Sequence, residues 1–241
     1  MPRRPASGRP SNNRGSRNAP IEAEDLQIIG GKYRGTKLTY EPLVQSHKGS
    51  ATMGKARLVT RPMKHRVREA IFNLVGMEAT GTHALDLFAG TGALGLEAVS
   101  RGAAGATFIE RHVPTARVVR DNIERVGVGD SCELIAASAF VWGKKDLAPW
   151  SQAAPQTDRP WLVFVSPPYA FFVDRAEEML GLIQSVKDAL PAASLMVVEA
   201  DARFDFDQLE GGVRADRHSD GWDVREYSPA VVGVWRAVSA S

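Results

Sequence analysis

The 241 residues include one cysteine and five histidines at no repeated spacing, so a disulfide framework, a CxxC centre and a metal site are not expected. A hydrophobic content of 44% fits one globular α/β domain, and no apolar run reaches the roughly 18 residues that a membrane helix needs. The net charge of +2 is unevenly spread: residues 1–70 hold 15 Lys+Arg against 5 Asp+Glu, whereas residues 71–241 hold 15 against 23. A basic front of this kind is the footprint of a polyanion partner such as nucleic acid. The N-terminus lacks the apolar centre of a signal peptide, which makes a cytoplasmic location the expectation.

Residues 1–20 contain five arginines, no acid and almost no large apolar side chain, and are expected to form a disordered basic tail. From Leu26 the run LQIIGGKYRGTKLTY reads as a small β-hairpin, with Lys32, Arg34 and Lys37 interleaved with Tyr33. Cations beside an aromatic ring suit phosphate contact and base stacking, although a plain surface hairpin has the same pattern. The polar stretch from Leu43 to Ala56 reads as a mobile loop. Arg61 and Pro62 then introduce a helix over about Lys64 to Val75, with Thr60 as a possible cap. Val67, Ile71, Leu74 and Val75 form its apolar face, and Lys64, Arg66 and Arg68 are read as more exposed.

The stretch HALDLFAGTGALGLE, His83 to Glu97, reads as an apolar strand entering a glycine-rich turn and then a helix. Alternating strands and helices follow: strands at Ala106 to Ile109, Cys132 to Ala136, Leu162 to Val165 and Leu195 to Glu199, with helices at about Val113 to Val126 and Arg175 to Val186. A loop rich in Trp, Pro and Gln precedes the strand at Leu162. Trp222 to Tyr227 and Ala230 to Val234 close the chain as an antiparallel hairpin, so the fold class is α/β with a mostly parallel, doubly wound sheet.

Gly90, Gly92 and Gly95 match a dinucleotide-binding pattern, and Glu110 stands 20 residues after Gly90, where an acid would hold a ribose. NAD therefore fits the glycines. Asp86, just before the turn, would repel a pyrophosphate and favour an ammonium, which points to S-adenosylmethionine. The turn Ser166-Pro167-Pro168-Tyr169 ends a later strand, where a parallel sheet places its ligand crevice. Its prolines fix the carbonyls, and Tyr169 is placed to stack on a flat base.

Together these motifs resemble the S-adenosylmethionine-dependent amino-methyltransferases of nucleic acids. The segments IIGGKYRGTKL, RPMKHRVREAIFNLV, DLFAGTGALGLEAVSRGA, ERHVPTARVVRDNIERVG and VFVSPPYAFF resemble, in order, the RsmD-like methyltransferases that modify the exocyclic N2 of a guanine in 16S ribosomal RNA. That resemblance implies a seven-stranded Rossmann-like sheet with a small N-terminal β-hairpin extension. It divides the chain into a tail (1–20), a basic hairpin and loop (21–62) and a catalytic domain (63–241).

The resemblance further implies that Asp86, Phe88, Gly90 and Gly92 line the methionine end of the cofactor, that Glu110 holds the ribose, that Ser138 lies near the adenine and that Leu94 also belongs to the cofactor site. Ser166, Pro167, Pro168 and Tyr169 would form the target-base pocket. Lys32, Tyr33, Arg34, Lys37, Arg61, Lys64, Arg66 and Arg68 would face ribosomal RNA or the small subunit, with the protein a monomer. Ser166 and Ser138 each stand where the family pattern leads one to expect an Asp, and the loop from Leu43 to Ala56 is longer than the pattern. The alternatives are a DNA amino-methyltransferase acting on adenine N6 or cytosine N4, an NAD-dependent oxidoreductase, and a non-catalytic RNA-binding protein.

Overall fold

A computed structural model describes residues 26–40, 65–153, 159–216 and 219–237. The chain builds a seven-stranded sheet in the order β3-β2-β1-β4-β5-β7-β6. The strands are β1 (His83–Asp86), β2 (Gly105–Ile109), β3 (Cys132–Ile135), β4 (Trp161–Val165), β5 (Leu195–Asp201), β6 (Asp223–Tyr227) and β7 (Ala230–Arg236). The first five are parallel, and β7 is antiparallel to both β5 and β6. The central strands are buried along nearly their whole length, which is why they read as continuous apolar runs rather than alternating ones.

Helices cover both faces. On one side α1 (His65–Val75), α2 (Ala93–Ser100) and α3 (Val113–Val126) pack over Ala84, Phe108, Phe164 and Val197. On the other, α4 (Ala139–Lys145), α5 (Leu147–Ser151), α6 (Phe171–Asp174) and α7 (Ala176–Asp188) pack over Leu85, Val163, Val165 and Val198. The α3 helix follows its local signals closely. His112 caps it by accepting the Thr115 amide, Pro114 sits in the first turn, and Gly127 ends it in the left-handed region at φ 75°.

Two readings of the sequence need correction. The stretch read as a loop before β4 holds α4 and α5, and among its residues Phe140, Trp142 and Leu147 are buried in the second core. Such short helices are held by packing rather than by propensity. Pro149 is tolerated because it lies in the first turn of α5, where no helical N–H is lost. The second correction is Arg68. It is fully buried, so it does not lie on an RNA-facing surface. Residues 68, 71, 72 and 75 share one helical face, and the other three, Ile71, Phe72 and Val75, are core residues. Arg61, Lys64, Thr60 and Pro62, the tail, and the Leu43 to Ala56 loop lie outside the described residues.

The expected N-terminal hairpin is reduced to a single antiparallel bridge between Gln27 and Lys37. Packing holds it instead: Leu26, Ile28 and Leu38 are buried in the first core. The polar anchor is Glu97 on α2, whose two carboxylate oxygens accept the amides of Ile29 (2.7 Å) and Gly30 (2.8 Å). Glu97 also pairs with Arg101 (2.7 Å) and lies 3.8 Å from the buried Arg68 guanidinium, which itself donates to the Gln27 carbonyl. Gly31 (φ 76°) crosses so close to α2 that a Cβ would lie 1.9 Å from the Ser100 carbonyl oxygen. Farther along, Asn122 of α3 exchanges hydrogen bonds with Thr39 and donates to the Thr91 carbonyl, tying this segment to the glycine-rich turn.

Removing Glu97 would leave the Arg68 charge buried without its carboxylate, a loss on the order of 3–5 kcal/mol. Glu97→Ala is therefore expected to lower the urea midpoint sharply and to speed amide exchange at Ile29 and Gly30. Arg68→Met, which keeps the volume, is expected to cost less. Exchange at those two amides equal to wild type in Glu97→Ala would remove the anchor role.

Candidate active site

Because β1 to β5 run parallel, their carboxyl ends reach one edge of the sheet, and the chemistry-bearing side chains stand along it. Asp86 closes β1, Glu110 follows β2, Ser138 opens α4 after β3, Ser166 follows β4, and Glu199 lies in the second half of β5. This is the edge at which open α/β sheets bind ligands.

At β1 the chain enters the glycine-rich turn, with Gly90 and Gly92 in the left-handed region at φ 56° and 77°. Gly95 has a different duty. A Cβ there would lie 2.4 Å from the Phe108 ring, so its absence lets α2 pack closely on β2. Glu110 braces the turn: one of its oxygens accepts the Gly90 amide (3.1 Å) and the other the His112 amide (2.7 Å). A carboxylate has about four acceptor positions, so Glu110 retains capacity for a diol.

Asp86 is almost completely buried. Its Oδ2 accepts the Gly95 amide at 3.3 Å, while Oδ1 is buried without a hydrogen-bond partner among the described residues. Burial pushes the carboxyl up to about 7, against the amides of Gly95 and Phe88, which favour the anion. A buried acid with an unused oxygen is set to receive a cation or a donor from a ligand.

Phe88 is half-buried in an aromatic wall, with ring centroids 5.8 Å from Phe140 and 6.3 Å from Phe171. Leu94 is buried in the packing of α2 on the sheet. Ser138 is half-buried at the start of α4, and its hydroxyl makes no capping bond.

At β4 the chain turns through Ser166 to Tyr169, and the Pro168 carbonyl accepts the Phe171 amide (2.8 Å), closing the turn into α6. The serine does not stand alone. Ser166 Oγ donates to Glu199 Oε2 at 2.5 Å, and the Tyr169 hydroxyl donates to Glu199 Oε1 at 2.6 Å. The Glu199 side chain is buried, and burial raises its carboxyl above the ordinary range against the pull of the two hydroxyls. Burial, and then the neighbouring Glu199 charge, pushes the Tyr169 phenol up strongly.

Glu199 was assigned no role from sequence. It had one usable signal, an acid at the end of an apolar strand in a chain whose other strand ends carry the site. What was missing was the register, in which Val165 faces Val198 and the next pair brings Ser166 beside Glu199.

The cations expected to face RNA are dispersed. The last turn of α1 is tied to Arg236, which pairs with the first residue of β5. The first turn of α1, carrying the exposed Arg66, therefore stands toward the site edge. Lys32, Tyr33 and Arg34 lie at the far end of α2, where the Lys32 amide donates to the Ser100 carbonyl and the Tyr33 amide to the Ser100 hydroxyl. That is one helix of eight residues, about 12 Å, from the glycine-rich turn. Tyr33 packs partly on the core with the Lys32 ammonium 5.0 Å from its ring centroid, and Lys37 is exposed.

A family model described as conserved hypothetical protein 95 matches residues 26–220. The chain belongs to that family. The matched region runs from the docked N-terminal segment past Glu199 and so covers every candidate position described above. Ribosomal RNA small subunit methyltransferase D of Escherichia coli (strain K12) is 33% identical over 144 residues, 60% of each chain. The matched stretches span 43% and 60% of the lengths of two curated relatives. Among solved structures, a putative methyltransferase yhhF from Escherichia coli superposes with a TM-score of 0.60 at 25% identity, over 89% of this chain and 99% of its own. An RNA methyltransferase from Salinibacter ruber in complex with S-adenosyl-L-homocysteine shares the fold, with a TM-score of 0.51 at 18% identity over 75% and 96% of the two chains. These findings bear out the RsmD-like resemblance and the Rossmann-like methyltransferase fold.

The Asp86 carboxyl makes a stability prediction with a definite sign. Its folded value of about 7 lies above the ordinary 3.8, so its contribution is fully present below pH 4 and is lost as pH rises through 7. Three units correspond to about 4 kcal/mol. Asp86→Asn is therefore expected to stabilise the ligand-free protein, by about 2–3 kcal/mol more at pH 8 than at pH 5. Chemical denaturation at the two pH values checks this, and a pH-independent difference counts against it.

Proposed function

We propose that this protein transfers a methyl group from S-adenosylmethionine to the exocyclic N2 of a guanine in 16S ribosomal RNA. The observation that carries the reading is the side-by-side placement of two half-sites: Asp86 and the glycine-rich turn at the end of β1, and the Ser166 to Tyr169 turn at the end of adjacent β4. The names of the relatives support methyl transfer to small-subunit ribosomal RNA, and the S-adenosyl-L-homocysteine in the Salinibacter structure supports the cofactor.

The residues fit the cofactor on features of their own. The unpartnered Asp86 Oδ1 suits the methionine ammonium, Glu110 retains acceptor capacity for the ribose hydroxyls, and the left-handed Gly90 and Gly92 let the backbone approach. Ser138 and Phe88 would face the adenine and methionine ends of the cofactor. When bound, S-adenosylmethionine supplies an electrophilic methyl carbon on a sulfonium.

The protein's part is positioning. An exocyclic amine delocalises its lone pair into the ring, so it must be held with that pair directed at the methyl. Ser166 Oγ and the Pro167 carbonyl would accept its two N–H groups, and Tyr169 would stack on the extruded base. Arg66 and the exposed Lys37, Lys32 and Arg34 would meet RNA phosphates, with Arg66 nearest the site. The partner on this reading is the small ribosomal subunit or its RNA.

The direct test is incubation of the protein with labelled S-adenosylmethionine and small subunits, naked 16S RNA or DNA, followed by nucleoside analysis. N2-methylguanosine in RNA is the expected product. Methylated adenine or cytosine in DNA would transfer the assignment to a DNA amino-methyltransferase. Asp86→Ala is expected to weaken cofactor binding by about 100-fold in calorimetry. Tyr169→Ala is expected to leave that affinity within about threefold and to slow transfer by about 10- to 100-fold. Unchanged affinity in the first variant, or an unchanged rate in the second, would contradict the respective role.

A further inference from the structure

We infer that Glu199 is the carboxylate of the acceptor half-site: it takes the only hydroxyl hydrogen of Ser166 and thereby makes Ser166 Oγ an acceptor for the target amine. This rests on the amino-methyl transfer proposed above and adds to it a positioning residue on a different strand.

A serine hydroxyl has one hydrogen and two lone pairs, so alone it can meet an amine in either sense. Here the hydrogen points at Glu199 Oε2 at 2.5 Å, which leaves the lone pairs for the N–H groups of the substrate. Tyr169 spends its own hydrogen on Glu199 Oε1 at 2.6 Å, so one buried carboxylate fixes both the acceptor oxygen and the stacking ring. Asp201, two residues farther along β5, is paired with Arg203 at 2.7 Å, and its charge adds only to the upward push on the Tyr169 phenol. Ser166 stands where the family pattern leads one to expect an acid. The charge has moved to the neighbouring strand, one hydroxyl away.

The pair can also carry the proton. As the amine nitrogen bonds to the methyl carbon, the methyl–sulfur electron pair leaves with the thioether and the nitrogen becomes cationic. The nitrogen then gives one proton to Ser166 Oγ while the serine's own proton passes to Glu199 Oε2. The amine has gained a methyl and lost a proton, the serine is restored, and Glu199 is neutral until it returns the proton to water. Burial raises the carboxyl, which makes it a better transient acceptor than an exposed glutamate.

The test uses the full-length protein in three forms: wild type, Glu199→Gln, and the double variant Ser166→Asp with Glu199→Gln. Calorimetry is expected to give the same affinity for S-adenosylmethionine in all three. Single-turnover methyl transfer is expected to fall by about 100-fold in Glu199→Gln. It should recover to within about tenfold of wild type in the double variant, where the acid stands on the turn itself. A purely structural role for Glu199 would not be rescued by moving the charge.

Transfer by Glu199→Gln within threefold of wild type, or a double variant no faster than Glu199→Gln, would overturn the inference. An independent readout is 13C NMR of the side-chain carboxyls in glutamate-labelled, ligand-free protein, with Glu199→Gln assigning the signal. An ionised Glu199 at pH 8 supports the assignment and a protonated one overturns it, whatever the activity. A wild-type protein that methylates no RNA or DNA would instead overturn the reading of function.

Discussion

The parallel register of β1, β4 and β5 is the constraint on which the site depends. Residues from positions 86, 166 and 199 come together because ladder hydrogen bonds fix Asp86 opposite Phe164 and Val165 opposite Val198. A slip of one residue in β5 would turn Glu199 to the other face of the sheet, beside α7, and leave Ser166 and Tyr169 with no acceptor. The register is held in turn by apolar side chains on both faces, including Phe164 and Val197 on one and Val163 and Val198 on the other. Core packing therefore sets the geometry of the chemistry directly, without flexible loops between.

Of the buried carboxylates among the described residues, Asp223 is paired with Arg214 and Arg225, and the other three, Glu97, Asp86 and Glu199, differ in their surroundings. Glu97 is saturated by two backbone amides and two guanidinium groups, and its work is to hold the N-terminal segment on α2. Asp86 has one long hydrogen bond and an unused oxygen. Glu199 has two hydroxyl donors and no cation near enough to form an ion pair among the described residues. Burial costs an anion several kcal/mol unless it is compensated, and of these three only Glu97 has cations beside it. The two under-compensated acids lie at the edge where a cationic ligand and an amine would arrive.

The sequence was most legible where local physics decides structure. Continuous apolar runs gave the central strands, and Pro114 and Gly127 marked α3 closely, although its His112 cap was not read from sequence. It was least legible where the outcome depends on a distant partner. Arg68 was read as exposed because it is charged, although its spacing to Ile71, Phe72 and Val75 already put it on the apolar face; only Glu97, on another helix, makes that burial tolerable. Likewise α4 and α5 have weak signals of their own and depend on Phe140, Trp142 and Leu147 finding the second core. Asp86, Glu110 and Ser166 were visible as strand ends beside motifs, whereas Glu199 had no motif around it.

Placing a carboxylate behind a serine, rather than on the turn itself, has an electrostatic consequence. On the proposed reading the cationic ligand is drawn by Asp86, and an anion directly at the turn would have to be buried beside a neutral base. Behind Ser166 the Glu199 charge is one hydroxyl removed and shared with Tyr169, so it orients the acceptor oxygen without offering the cation a direct contact. On that reading the arrangement would separate two tasks that a single aspartate would combine: attracting charge, which would fall to Asp86, and directing lone pairs, which would fall to the Ser166 and Glu199 couple. With two hydroxyls on one buried acid, each oxygen of Glu199 has a donor, which either hydroxyl alone would not provide.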